Sequence, residues 1–245
     1  DSGLDNKAAI RCKNMFALGL VCWLFNRPLD HAMHMLNDKF AKKPTIAEAN
    51  IKVLTDGYNY GHNIHASIST YIVESKGEKE KGFYTDVNGN LATSYGLVAA
   101  AEKAGLQLFL GSYPITPATD ILHNLAKWKQ LGVVTVQCED EISGACSAIG
   151  ASFAGNLAVT TTSGPGVCLK SEAINLAVIA ELPLVIVNVQ RGGPSTGLPT
   201  KSEQTDLLQA VYGRNGESPL VVIAATSPTN CFDSAYMAAK IALEH

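Results

Sequence analysis

Five short apolar segments set the strongest limit on what this chain can fold into. They are LQLFLGS (106–112), VVTVQC (133–138), LAVTTTS (157–163), LVIVNV (184–189) and LVVIAA (220–225). Helix-like stretches separate them. Runs this apolar suit strands buried on both faces. Their alternation with helices predicts a parallel sheet covered on both sides. Crossovers in such a sheet are right-handed, and ligands gather at the carboxyl ends of its strands. The expected fold class is therefore α/β, with a doubly wound, mostly parallel sheet.

The first quarter of the chain reads differently. From Asn6 to about Tyr60 the periodicity is helical, interrupted at Arg27–Leu29 and restarted by KKPTIAEANIKVL, with Pro44 as punctuation. Pro28 suits the opening turn of the second helix. A polar, glycine-dotted stretch follows, and NLATSYGLVAAAEKAG then predicts a helix rich in small residues. The resulting division is a helical part over 1–70, a linker over 71–88 and an α/β domain over 89–245. The chain opens without methionine and ends inside a helical pattern, so it is expected to be a piece of a longer protein.

Composition narrows the function classes. Of the 245 residues 47% are apolar and 17% charged, and the net charge is −3, which argues for a folded protein whose main partner is neither nucleic acid nor membrane. The apolar run MFALGLVCWLF is about half of what a membrane span needs. Six cysteines, Cys12, Cys22, Cys138, Cys146, Cys168 and Cys231, form no CxxC pair, so they predict reduced thiols in a cytoplasmic protein and no metal site. Neither GxGxxG nor GxxxxGK[ST] is present, which weakens an ordinary nucleotide-binding reading.

The strand ends carry the chemistry. The first ends in SYPITPATD, where Pro114 and Pro117 fix their own φ and bias Tyr113 and Thr116 toward extended backbone. A stiff loop then presents the Thr116 hydroxyl. The structural alternative is a plain turn, with Thr119 or Asp120 capping the next helix. The second ends in QCEDEISGACSAIGASFAG. Its three acids, Glu139, Asp140 and Glu141, suit a helix N-terminus. The small residues that follow would let another backbone, or a flat ligand, come near a desolvated carboxylate. Spacing does not choose among the three acids. The third ends in TTTSGPGVCLKSEAI, where Gly164, Pro165 and Gly166 predict a tight turn exposing backbone N–H groups. The fourth ends in VQRGGPSTGLPTKSEQTDLL, with Arg191 before a glycine-rich loop. A guanidinium there is either solvated or available to a carboxylate.

At these residues the chain resembles a known family. SYPITPATDIL, EDEISGACSAIGASFAG, TTTSGPGVCLKSEAINLAV and ELPLVIVNVQRGGPSTGLPTKSEQTDLL are similar to the alpha subunits of 2-oxoacid:ferredoxin oxidoreductases, of the 2-oxoglutarate type. The resemblance implies that 89–245 is a thiamine diphosphate pyrimidine-binding domain, and that 1–70 is the helical tail of a truncated gamma domain fused in front. It implies that Glu141 is the cofactor-activating carboxyl, bonded to a ring nitrogen of the aminopyrimidine. Thr116 and Arg191 would be catalytic beside it, at the substrate carboxylate. Tyr113, Pro114, Ile115, Ser163, Gly164 and Gly166 would line the cofactor.

The resemblance further implies a beta subunit with the pyrophosphate-binding domain, Mg²⁺ and an iron–sulfur cluster. Coenzyme A would be cosubstrate and ferredoxin the electron acceptor, in a two-fold symmetric alpha–beta assembly. Alternative readings are pyruvate or a branched-chain 2-oxoacid as substrate, or a scaffold subunit without catalysis.

Overall fold

The computed structural model describes residues 6–64, 69–74, 77 and 80–245. The chain divides into two compact units, Asp1–Phe83 and Tyr84–His245. Part of the linker expected over 71–88, residues 75–76 and 78–79, lies outside the described residues, as do the first five residues.

The first unit is helical. Its helices are Asn6–Arg11 (α1), Lys13–Leu24 (α2), Asp30–Lys39 (α3) and Pro44–Ile64 (α4). Pro44 takes the first position of α4, where its missing N–H costs nothing. Pro28 stays in the connection ahead of α3, which opens at Asp30. Helices α2 and α4 cross with backbones almost touching. A Cβ on Gly19 would land on Leu54 O, and one on Gly57 would land on Phe16 O. Trp23, Leu36, Ala47 and Leu54 are buried in this unit. Among the described residues no helix is long and apolar enough to cross a membrane.

The second unit is the α/β part. Gly89–Ala104 (α5) is capped by Asn88, whose side chain accepts from Leu91 N, and ends at Gly105 with φ 67°. The strands Leu108–Ser112 (β1), Val134–Gln137 (β2), Leu157–Thr162 (β3) and Leu184–Asn188 (β4) form one parallel sheet in the order β2-β1-β3-β4. The helices are Thr119–Ala126 (α6), Glu141–Phe153 (α7), Gly164–Leu169 (α8), Ser171–Ile179 (α9), Leu207–Tyr212 (α10) and Pro228–Glu244 (α11).

One face of the sheet packs on α5, α6 and α11, through Leu97, Leu108, Leu110, Ile121, Leu125, Val159, Val185 and Ala239. The other packs on α7 and α9, through Ala145, Ile149, Ala173 and Ala177. Period-2 alternation sends Leu108 and Leu110 to the first face and Gly111 toward α7. All six residues of β3, one of the two inner strands, are buried.

Two further expectations change. The run 220–225 joins no ladder, and Val221 is 66% exposed. Strand formation needs a neighbour to accept its N–H groups, and no described strand pairs with this run. Helix α6 starts after Ala118 without a side-chain cap, so neither Thr119 nor Asp120 acts as one.

Candidate functional site

The loop after β1 is held by three successive carbonyls. Ile115 O accepts from Thr119 N at 3.0 Å, Thr116 O from Arg191 Nη1 at 2.9 Å, and Pro117 O from Asn90 Nδ2 at 2.9 Å. The two prolines therefore share the work with a helix start, a strand-end arginine and the first turn of α5. Thr116 is left exposed, with no protein partner for its hydroxyl among the described residues. Tyr113 is exposed, and Pro114 and Ile115 are half-buried beside it.

Arg191 is not solvated. It is 5% exposed, although it lies 75 residues from Thr116 in the chain. Its Nε is buried and has no partner among the described residues. The structure thus brings Arg191 and Thr116 together, and the guanidinium keeps donors beyond the one used on the loop.

The three acids separate by role. Glu139 is exposed, and Asp140 is the N-cap of α7, its Oδ1 accepting from Ser143 N at 2.7 Å. Glu141 is the first helical residue and is buried, with no protein hydrogen bond to its carboxyl among the described residues. A helix N-terminus suits that carboxylate electrostatically. The small residues of α7 make a close approach, but to their own sheet: Gly144 lies against the β1 backbone, and a Cβ on it would stand 3.2 Å from Ser112 Cα.

The SGPG segment is a helix start and not the expected free turn. Ser163 is the N-cap of α8, Pro165 sits in its first turn, and Gly166 is inside it. Ser163 is fully buried, and among the described residues its Oγ has no partner. Gly166 is a spatial requirement. A Cβ there would collide with the Thr162 hydroxyl and come within 3.0 Å of Glu141 Cγ. Gly164 faces Asp206, whose buried carboxylate accepts from Asn188 Nδ2 at 2.6 Å.

Sequence reasoning missed Lys170. It is wholly buried, and its Nζ donates to Thr160 Oγ1 at 2.6 Å and Thr161 O at 3.2 Å. Burial lowers its pKa to about 8, partly offset by Glu141 and Cys138. The one available signal was a lone cation inside the apolar text GVCLKSEAI. Ser112 was missed too. Its hydroxyl joins Thr161 Oγ1 at 2.6 Å, linking β1 to β3 behind the loop.

The donor set fits an aminopyrimidine. Glu141 offers an uncommitted buried carboxyl, Ser163 an unpaired hydroxyl, and Gly166 a place where a side chain would intrude. Among the described residues no group of three or more His, Cys, Asp or Glu could hold a metal ion.

A parallel sheet covered on both faces, with a buried acid, a hydroxyl unpaired among the described residues and a buried arginine at its carboxyl edge, belongs to the ligand-binding α/β class. Residues 99–245 match the family model described as pyruvate flavodoxin/ferredoxin oxidoreductase, thiamine diphosphate-binding, and the chain belongs to this family. It is 54% identical over 243 residues to the 2-oxoglutarate oxidoreductase subunit KorA of Mycobacterium tuberculosis, covering 99% of this chain and 37% of that protein. It is 45% identical over 157 residues to the 2-oxoglutarate synthase subunit KorA of Archaeoglobus fulgidus, covering 64% of this chain and 44% of the other. A solved 2-oxoglutarate:ferredoxin oxidoreductase from Magnetococcus marinus, with 2-oxoglutarate, coenzyme A and succinyl-CoA bound, superposes with a TM-score of 0.74 at 34% identity. That match covers 96% of this chain and 41% of the other. The chain therefore spans about two-fifths of the length of the relatives it matches.

Proposed function

We propose that this chain is the pyrimidine-binding part of an alpha subunit that, with a beta subunit, oxidatively decarboxylates 2-oxoglutarate to succinyl-CoA and passes the electrons to ferredoxin. The observation that carries the proposal is Arg191, buried and fixed on the Thr116 carbonyl, with an unpartnered Nε. A buried cation at a strand end, with donors in reserve, suits an anionic substrate. The relatives named for 2-oxoglutarate, and the solved relative with 2-oxoglutarate and coenzyme A bound, support this substrate over pyruvate or a branched-chain 2-oxoacid.

Each residue has a task. Arg191 pairs the carboxylate next to the reacting carbonyl. Thr116, held by its pinned loop, places a hydroxyl within reach of that carbonyl, because productive geometry lowers the barrier. Glu141 bonds a ring nitrogen of the aminopyrimidine and exchanges a proton with it. Tyr113, Pro114, Ile115, Ser163, Gly164 and Gly166 wall the cofactor. Thiamine diphosphate, when bound, supplies the carbanion chemistry. The beta subunit contributes the pyrophosphate-binding domain, Mg²⁺ and the iron–sulfur cluster. The assembly is a cytoplasmic alpha–beta pair doubled by a two-fold axis. Residues 1–70 are the helical tail of a fused gamma domain, 71–88 a linker and 89–245 the pyrimidine-binding domain.

The test is anaerobic viologen reduction by the full-length alpha subunit co-purified with its beta partner. Substrates are 2-oxoglutarate, pyruvate and a branched-chain 2-oxoacid, each with coenzyme A and thiamine diphosphate. The expected result is a preference for 2-oxoglutarate and a loss of about 10²- to 10⁴-fold for Glu141→Gln. A variant that keeps its rate moves the role to Glu139. Absence of turnover with every 2-oxoacid overturns the enzymatic reading.

A further inference from the structure

Asp206 has no part in the roles above, although it is as enclosed as the arginine they depend on: each is 5% exposed. It stands in the N-cap position of α10, yet its side chain caps nothing there. The carboxylate turns back to the end of β4 instead. Its Oδ2 accepts from Asn188 Nδ2 at 2.6 Å, and its Oδ1 from Gln190 Nε2 at 3.4 Å. Gly164 closes on the same Oδ2, since an added Cβ there would stand 3.2 Å from it. The carboxylate thus has a fixed seat shared by the ends of β3 and β4.

Those bonds close a loop. The chain leaves β4 through Arg191 and turns back on itself where Gly192 pairs with Leu198 and Gly192 N donates to Lys201 O at 2.8 Å. It returns at Thr205 and Asp206, where Thr205 Oγ1 donates to Arg191 O at 3.4 Å. Arg191 is therefore held at both ends: its guanidinium on Thr116 O, its backbone by Thr205 and by the neighbours that rest on Asp206. A buried carboxylate is costly, and among the described residues no ion pair within 4.0 Å offsets this one. Asn188 adds to the cost: its NH₂ goes to Asp206, and its Oδ1 is left buried with no partner among the described residues. What the arrangement fixes is the backbone that carries Arg191. A binding group works only when held within about 0.5 Å of its productive place.

We infer that Asp206 is a positioning residue for Arg191: its carboxylate closes the loop 191–206 on the end of β4 and so sets the point from which the guanidinium reaches the substrate carboxylate. The inference rests on the reading that Arg191 pairs that carboxylate. Asp206 acts through Asn188 and Gln190 and takes no part in the chemistry itself.

The experiment is steady-state viologen reduction, without oxygen, by the full-length alpha–beta enzyme, with 2-oxoglutarate and coenzyme A varied in turn. Asp206→Asn puts an amide where the carboxylate accepts two bonds, so one of them is lost. It should raise the KM for 2-oxoglutarate about fivefold to tenfold, and leave kcat, the KM for coenzyme A and the affinity for thiamine diphosphate within about twofold. Exchanging the two side chains, Asn188→Asp with Asp206→Asn, again sets a donor opposite an acceptor and should return the KM to within about twofold of the wild type. In the Arg191→Lys background, where the planar fork is gone, Asp206→Asn should raise the KM no further.

An unchanged KM for 2-oxoglutarate in Asp206→Asn, beside a raised one in Arg191→Lys, overturns the inference alone. So does a loss that falls equally on kcat, coenzyme A and the cofactor, a double variant whose KM is the product of the two single effects, or an exchange that leaves the KM raised. Arg191→Lys with the wild-type KM overturns the reading of Arg191, and the inference with it. Should Asp206→Asn not fold, Gln190→Leu and Thr205→Val decide, since each removes one link beside Arg191. Each should raise the KM for 2-oxoglutarate about threefold with kcat unchanged. An unchanged KM in either overturns the inference.

Discussion

Arg191 shows how one side chain links distant text. It follows β4, returns to the loop after β1, and places a donor on Thr116 O at 2.9 Å. Lysine cannot keep that bond and also present a planar fork to a carboxylate. Arg191→Lys is expected to raise the KM for the 2-oxoacid roughly tenfold to a hundredfold, from about 1.5–3 kcal/mol of charged hydrogen bonding. Steady-state kinetics of the alpha–beta enzyme check this. Lys170 makes a different prediction at the same scale. Its pKa falls from 10.5 to about 8 on folding. Between those values the unfolded chain binds the proton that the folded chain has released, so stability rises as pH increases through that window. Below about pH 8 the full penalty of the buried charge is present. The rise amounts to about 3 kcal/mol at most. Urea unfolding of the wild type should show it, and Lys170→Met should flatten the slope.

At the scale of elements, helix α8 and helix α7 meet at one missing side chain. Gly166 permits Thr162 and Glu141 to occupy the same small volume. Gly166→Ala forces a methyl group into it. The expected cost is about 1–3 kcal/mol of stability, together with weaker thiamine diphosphate binding, because Glu141 is displaced. Gly150 lies in α7, and a Cβ added to it would point into open space. Gly150→Ala should therefore be neutral or stabilising by up to about 1 kcal/mol. Parallel urea titrations and calorimetric binding of the two variants separate a local steric effect from a general response of the sheet layer. In the text Gly166 belongs to the SGPG stretch and Gly150 to a small-residue helix, and neither context shows what a side chain there would meet. Only the neighbours make one of them indispensable.

At the scale of the whole molecule, the proposed function makes the site one wall of a pocket completed by the beta subunit. Glu141, Thr116 and Arg191 sit on a single sheet edge, and no described cluster holds a metal ion. Without its beta partner the alpha subunit is expected to show no viologen reduction with any 2-oxoacid. Adding the beta subunit should restore it, which a reconstitution titration measures. Much of this architecture was legible in the residues. Continuous apolarity marked β1 to β4, and it holds most fully for β3, because a strand buried on both faces has no exposed position to spare. Proline at 44 and glycine at 105 marked helix ends, because φ restrictions act locally. The same local logic misjudged 220–225, whose composition suits a strand but which has no described neighbour to pair with. It could not choose among Glu139, Asp140 and Glu141, or see that Lys170 is buried. Sequence by itself determined the sheet class, the order of elements and the strand ends where chemistry gathers, because these follow from short-range periodicity and backbone sterics. Only the tertiary structure decided which acid is buried, which glycine is spatial, and that Arg191 and Lys170 are enclosed, because burial and charge coupling depend on residues brought together from distant parts of the chain.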